Sequence, residues 1–254
     1  MSTPATTTPT TAGIIYPDHA AEDEYPWAAD LLGVRLPVVH VYGTDLHAVP
    51  ELLDLGRPDR LAEGAARLAE HRPQSVLWAC TSGSFVYGPE GARDQIDQLA
   101  SAAGVPASST SAAFVDALAH LGLTRVAVAA SYPDDVARHF VDYLAAAGVE
   151  VVSMGSAGID TAAEVGHLTP EQVVELAVAR DHPEAQTLLV PDTAMRTLAV
   201  VPELEARLGK PVLTANQVTI WQALRLAGST PTTPDLGALF ARRLPPRRQD
   251  HARQ

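Results

Sequence analysis

The sequence predicts an α/β protein built from two copies of one parallel-sheet unit. Short apolar runs alternate along the chain with stretches rich in Ala, Leu, Glu and Arg. Strands buried in a parallel sheet read as continuous Val/Ile/Leu runs, and helices of roughly 10–15 residues connect them. Segments of the first half also recur, in the same order, in the second half. Such internal similarity indicates a duplication.

The apolar runs are the predicted strands, and the amphipathic stretches between them are predicted helices. The predicted strands are 13–16, 36–42, 75–79, 125–130, 149–154, 187–190 and 211–213. The predicted helices include 58–71, 92–103, 134–147, 170–180, 201–208 and 217–226. The Thr- and Pro-rich residues 1–12 are expected to be disordered, and 241–254 is expected to be a solvated basic tail.

The internal repeat predicts two lobes of roughly 110 residues each. Its clearest part aligns 74–82 (QSVLWACTS) with 186–194 (QTLLVPDTA) without a gap. Shorter matches relate YPD at 16–18 to YPD at 132–134, and GVP at 104–106 to GKP at 209–211. The expected N-terminal lobe spans 13–117 and is completed by 215–240. The expected C-terminal lobe spans 118–214.

Composition and motif content exclude several classes of protein. The net charge of −12 argues against nucleic acid as a partner. A single cysteine, Cys80, cannot form an internal disulfide or a cysteine-rich zinc cluster. The chain has one lysine, Lys210, and no GxxxxGK[ST] or GxGxxG run. Without an apolar run of membrane-spanning length or a signal-peptide pattern, we expect a cytoplasmic protein with no membrane partner. The histidines show no metal-ligand spacing, and surface or loop positions are expected for His19, His40, His47 and His167.

Two chemically capable side chains occupy equivalent places in the repeat. Cys80 and Asp192 each follow an apolar strand and precede a hydroxyl-bearing residue. Ligands of open α/β sheets bind beyond the carboxyl ends of the strands, so two copies packed face to face would present these side chains across one cleft. A helix beginning beside Cys80 would lower the pKa of its thiol. The alternatives are a small buried apolar role for Cys80 and a helix-capping role for Asp192.

An acid and a base on opposite sides of a flat carbon centre can move a proton from one face to the other. The hydroxyl groups that would hold the substrate carboxylate and stabilise an enediolate belong to Thr81, Ser82, Tyr132 and Thr193. Pro17 and Asp18, at the end of the first strand, are expected to line the cleft, although a surface position is equally compatible with the sequence.

Several of these segments together resemble the aspartate/glutamate racemase superfamily, in the branch of maleate cis-trans isomerases and arylmalonate decarboxylases. The resemblance runs from Gly13 to about Phe240. It is carried by GIIYP at 13–17, WACTSGSF at 78–85, SYPDDV at 131–136, PDTAMRTL and PELEARLGKPV within 191–212, and ANQVTIWQALRLAG at 215–228.

The resemblance implies two pseudo-symmetric α/β lobes, a small carboxylic acid substrate, and neither metal nor organic cofactor. In members with two catalytic cysteines, the first corresponds to Cys80 and the second to the position of Asp192. The arylmalonate decarboxylases have glycine at the first position and cysteine at the second, so this chain shows the reverse arrangement. Where this chain has Ala20 and Ala162, the resemblance places asparagines in the maleate isomerases. The absence of those amide groups implies that this chain binds a second carboxylate more weakly.

Three functions remain open at this point. The first is a cofactor-independent isomerase or racemase of a small carboxylic acid, similar to maleate cis-trans isomerase, in which Cys80 is the base or nucleophile and Asp192 is the opposing acid. For a maleate-like alkene, the Cys80 thiolate would add to the double bond and allow rotation before elimination. The second is a decarboxylase of substituted malonates in which Cys80 protonates the enediolate from the side opposite to known decarboxylases, giving the opposite product enantiomer. The third is a non-catalytic small-carboxylate binding protein. A homo-oligomer is compatible with the sequence.

Overall fold

The computed structural model describes residues 9–18 and 20–241. Residues 1–8, His19 and 242–254 lie outside it, and with them most of the predicted terminal tails. Ala12, which we expected in the disordered tail 1–12, is instead the first residue of a buried strand. The strands are β1 (Ala12–Pro17), β2 (Val38–Val41), β3 (Ser75–Trp78), β4 (Ala107–Ser109), β5 (Arg125–Ala130), β6 (Glu150–Ser156), β7 (Thr187–Val190) and β8 (Val212–Thr214). The helices are α1 (Glu24–Leu32), α2 (Val49–Leu55), α3 (Pro58–Leu68), α4 (Ser82–Phe85), α5 (Gly88–Ala103), α6 (Thr110–Leu121), α7 (Asp134–Ala146), α8 (Ala162–Gly166), α9 (Pro170–Val178), α10 (Val201–Leu208), α11 (Ala215–Leu226) and α12 (Gly237–Ala241).

The strands form two four-stranded parallel sheets with matching topology. Their orders are β2-β1-β3-β4 and β6-β5-β7-β8, so each strand of the first half has a counterpart in the second. The predicted fold class, two small parallel sheets flanked by helices, is therefore confirmed. Strand β4 was not predicted, because its sequence Ala-Ser-Ser lacks an apolar run; it forms the sheet edge and pairs with β3 alone.

The inner strands β3 and β7 bring the candidate residues to the same end of their sheets. Each lies between two neighbours, and its residues are buried. Strand β3 ends at Trp78 and β7 at Val190, so Cys80 and Asp192 each lie two residues beyond an inner strand. The matching topology thus gives the two side chains equivalent positions in the two halves.

An aromatic cluster joins the two sheets. The Phe140 ring of α7 lies 5.4 Å from that of Phe85 on α4 and 5.5 Å from that of Phe114 on α6. The Phe85 ring also meets Tyr132 edge to face at 5.9 Å. Such aromatic pairs contribute about 0.5–1.5 kcal/mol beyond the burial of their area. The cluster therefore holds the two halves together close to Cys80.

Helix α11 follows the last strand of the second sheet but packs against α6, β3 and β4 of the first half. Its residues 215–224 are all buried. On this packing we propose that 215–240 completes a lobe spanning 13–117, and that 118–214 forms the other lobe. Among the residues that the structure describes, no helix has both the length and the apolar character needed to cross a membrane.

Candidate active site

Cys80 and Asp192 line one cavity between the two halves. Cys80 is 4% exposed and Asp192 is 3% exposed. The cavity has a volume of about 30 Å³, which is room for roughly one or two water molecules. A carboxylic acid can therefore enter only if part of the lining moves.

The Cys80 thiol is a buried, neutral group. Its Sγ accepts a hydrogen bond from the backbone N–H of Gly83 at 3.3 Å and lies 3.7 Å from the Ser82 hydroxyl. Burial raises the pKa of the Cys80 thiol to about 11, with a smaller contribution from the charge of Asp192, whereas the contacts with Gly83 and Ser82 act in the opposite direction. The expectation of a lowered thiol pKa is therefore wrong. The adjacent helix α4 has four residues, too few for its dipole to offset the loss of hydration.

The Asp192 carboxylate is held by its own half of the chain. Its Oδ1 accepts the backbone N–H of Ala194 at 2.9 Å, and its Oδ2 accepts the hydroxyl of Ser131. Residues 191–197 lie outside any helix or strand, with a turn at 193–194, and the next helical residues begin at Leu198. The contact with Ala194 therefore stabilises a turn, and Asp192 does not cap a following α-helix.

Four of the six predicted substrate-binding residues line the cavity: Pro17, Asp18, Ser82 and Thr193. Thr81 and Tyr132 are not brought to its surface, and each is 1% exposed. The Tyr132 hydroxyl donates to the Pro191 carbonyl, and the Thr81 carbonyl accepts the Ser111 hydroxyl at 2.8 Å. In this structure both residues lie behind the cavity wall, and their role in holding the substrate remains a prediction.

His47 is the main residue that sequence reasoning missed. The expected loop position is observed, but His47 is 7% exposed rather than at the surface, and it lines the cavity. Its Nε2 lies 3.9 Å from Asp192 Oδ2. No local pattern could have revealed this, because the loop that carries His47 is positioned by an antiparallel bridge between Leu46 and Thr161, in the other half of the chain.

The remaining lining is largely apolar, with two further polar groups from the same loop. It consists of Tyr16, Ala20, Thr44, Asp45, Leu46, Leu52, Leu55, Ala162 and Ala194. Ala20 and Ala162 thus face the cavity at the positions where the resemblance sets this chain apart from maleate isomerases.

A buried hydrogen-bond network supports the loop that contains Asp192. The side chain of Asn216, at the start of α11, donates to the Thr193 carbonyl at 3.1 Å and to Glu24 Oε2 at 2.7 Å, and it accepts the Tyr25 hydroxyl at 2.9 Å. Glu24 also accepts the N–H of Leu198 at 2.6 Å. Burial raises the pKa of Glu24 from 4.5 to about 7, against these hydrogen bonds.

The Glu24 carboxyl predicts a pH-dependent stability. The pKa of Glu24 is higher in the folded protein than in the unfolded chain. The contribution of its protonated carboxyl to the free energy of unfolding is therefore complete below pH 4.5 and is lost as the pH rises to about 7. The shift corresponds to roughly 3 kcal/mol. The unfolding free energy of the wild type should therefore fall relative to that of Glu24→Gln over this range, as measured by urea unfolding. Glu63→Gln, on the exposed face of α3, is the matched control. Parallel curves for wild type and Glu24→Gln would contradict the prediction.

The matching sheets and the shared cavity define a two-lobed α/β enzyme of the aspartate/glutamate racemase type. The arylmalonate decarboxylase family model matches residues 56–240. The chain belongs to this family, and the predicted branch is confirmed.

Individual relatives include both enzymes of that branch. Arylmalonate decarboxylase of Bordetella bronchiseptica is 30% identical, over 72% of this chain and 77% of the relative. Maleate isomerase of Alcaligenes faecalis is 26% identical, over 82% of this chain and 81% of the relative. A solved, liganded variant of arylmalonate decarboxylase, with one glycine changed to cysteine and one cysteine to serine, superposes with a TM-score of 0.82. It is 27% identical, and the match covers 92% of this chain and 99% of that one.

Proposed function

We propose that the chain is a cofactor-independent isomerase or racemase that moves a proton at the α-carbon of a small carboxylic acid. Cys80 and Asp192 act on opposite faces of that carbon. The observation that carries the proposal is that these side chains, from equivalent strand ends, line one cavity. The family relationship supports the same class of chemistry.

The lining favours a substrate with one carboxylate and an apolar substituent. Among the described residues around the cavity there is no lysine or arginine, whereas Asp18, Asp45 and Asp192 contribute negative charge. A dianion such as maleate would meet repulsion here. The leucines of the wall offer apolar contact to a substituent, and the Ser82 and Thr193 hydroxyls can donate to one carboxylate.

The proton is moved in two steps. The Asp192 carboxylate takes the α-hydrogen as a proton, and the electron pair of the broken C–H bond enters the enediolate. The Cys80 thiol then donates its proton to the opposite face and becomes a thiolate. The product has the inverted configuration, and the enzyme now holds its proton on Asp192. The same form of the enzyme acts on the other enantiomer in reverse.

The raised thiol pKa suits the step in which Cys80 donates its proton. Burial raises the pKa of the thiol to about 11, so Cys80 carries its proton at neutral pH in this closed state. A neutral thiol is ready to donate a proton, whereas cis-trans isomerisation through a covalent adduct needs the thiolate as nucleophile. The closed, buried state therefore supports proton transfer at a carbon acid.

Decarboxylation is the second candidate, favoured by the family match and by the same neutral thiol. Here a C–C bond of a substituted malonate breaks, CO₂ leaves, the electron pair forms the enediolate, and the Cys80 S–H protonates it. The solved double variant gains a cysteine in place of a glycine and loses one to serine. This chain resembles it in carrying the first cysteine without the second. The product enantiomer should therefore be opposite to that of the decarboxylases.

A proton NMR screen in deuterium oxide separates these functions. The panel contains enantiopure α-aryl and α-alkyl carboxylic acids, aryl-substituted malonates, and maleate, each with wild type and with Cys80→Ala. Deuterium entry at the α-carbon of a monocarboxylic acid, lost in Cys80→Ala, is the expected result. Release of CO₂ from a malonate without any racemisation would favour the second candidate. Tight binding without turnover of any compound would contradict both.

A further inference from the structure

The loop that carries His47 spans the boundary between the two halves. This loop, residues 44–47, is called the covering segment. The His47 N–H donates to the Asp160 carbonyl at 2.8 Å, and the Ala162 N–H donates to the Asp45 carbonyl at 2.9 Å. Asp45 Oδ1 also accepts the N–H of Ala163 at 2.8 Å. The covering segment is thus fixed to residues 160–163, and it holds His47 against the Asp192 side of the cavity.

The hydrogen bonds of His47 determine which ring nitrogen carries a proton. Its Nδ1 lies 3.0 Å from the Ile159 carbonyl oxygen, which can only accept. Nδ1 therefore carries a hydrogen in both charge states of the ring. The nitrogen that gains or loses a proton is Nε2, and it is the atom 3.9 Å from Asp192 Oδ2. The hydrogen bond to the Ile159 carbonyl thus orients the His47 ring so that Nε2 faces the Asp192 carboxylate.

We propose that His47 is the proton-holding partner of Asp192, so that one proton is shared between His47 Nε2 and the Asp192 carboxylate. The inference rests on the proposed function and deepens it. After Asp192 removes the substrate proton, that proton passes to His47 Nε2, giving an imidazolium beside a restored carboxylate. In the reverse direction the imidazolium returns it. No other reactant is needed, since one proton moves between two bases.

The 3.9 Å separation exceeds a hydrogen bond and closes with a shift of about 1 Å in either side chain. Catalytic contacts are often long before substrate binds, and substrate entry already requires the lining to move.

The other groups around His47 are compatible with this role. The Tyr132 ring meets the imidazole edge to face at 5.0 Å. Asp45 and Asp160 flank it within the covering segment and the facing loop, and Cys80 and Asp18 line the same cavity.

The test compares His47→Asn with wild type on the substrate found by the deuterium screen. An asparagine amide can still donate to the Ile159 carbonyl, but it lacks an equivalent of Nε2. We expect kcat to fall at least tenfold while KM changes less than threefold. His71→Asn is the matched control, because His71 also lies beside a carboxylate, Glu70 at 3.5 Å, but not in the cavity lining. An unchanged kcat in His47→Asn would overturn the inference.

A second measurement does not depend on turnover or on the folding of the His47 variant. The ring ¹⁵N signals of ¹⁵N-labelled wild type and Asp192→Asn are followed through a pH titration. Because the variant lacks the carboxylate that shares the proton, we expect His47 Nε2 to gain its proton at a lower pH in Asp192→Asn than in wild type, while the titration of His71 stays in place. Identical His47 signals in both proteins would refute the shared proton. A shift without turnover of any compound would leave the pair standing and reject the proposed function instead.

Discussion

Cys80→Ala should lose racemisation by roughly 10²–10⁴-fold, the usual contribution of a positioned acid or base. Alanine removes the thiol that donates on one face, whereas Asp192 and its hydrogen bonds stay in place. The variant should therefore still exchange the α-hydrogen of one enantiomer with deuterium oxide, slowly and with retention. Chiral chromatography with NMR of each enantiomer measures both effects.

Cys80→Ser keeps the shape of the buried site and is the control for packing. Cys80→Ser should therefore be more stable than Cys80→Ala. It should not recover the racemisation rate, because a serine hydroxyl is a far weaker acid than a thiol. Thermal unfolding of both variants identifies any loss that comes from folding. Racemisation by Cys80→Ala at more than a tenth of the wild-type rate would contradict the assigned role.

Asp192→Asn should lose racemisation by a similar factor and show the opposite exchange pattern. Asparagine can accept the Ala194 N–H through Oδ1 and donate to the Ser131 hydroxyl, so the local structure is preserved. It cannot take a proton. Exchange should survive only for the enantiomer whose α-hydrogen faces Cys80. The same isotope measurement on both enantiomers tests this.

The matched control is Asp181→Asn, which removes a carboxylate that pairs with Lys210 at 3.0 Å and does not line the cavity. Its activity should stay close to that of wild type. A decarboxylase needs one proton donor, so retention of CO₂ release within tenfold in Asp192→Asn would reject the two-sided mechanism. The same exchange pattern in Asp192→Asn and Cys80→Ala would do so as well.

Local pattern was sufficient to predict the strands that position the site. Leu188–Val190 and the run before Cys80 are apolar, buried and followed by polar turns, so their ends were visible in the sequence. The edge strand β4 could not be predicted from its sequence, because that sequence is polar. It forms a strand through its pairing with β3.

What the sequence could not supply depends on contacts between distant segments. His47 reaches Asp192 because the covering segment binds 160–163, more than a hundred residues away. The high pKa of the Cys80 thiol arises from burial between the halves, which outweighs the local backbone donors that the sequence suggested. Tyr132 likewise has its hydroxyl bound to the Pro191 carbonyl rather than facing the cavity.

The central claim is that separate groups serve the two faces of one carbon. It is tested most directly by incubating a single enantiomer of the substrate with wild type in deuterium oxide to low conversion, and measuring deuterium in both enantiomers by mass spectrometry. Because proton removal and donation use different side chains, the newly formed enantiomer should carry deuterium while the remaining starting enantiomer stays protiated. Deuterium entering the starting enantiomer as fast as the product would mean that one group serves both faces, and would contradict the account.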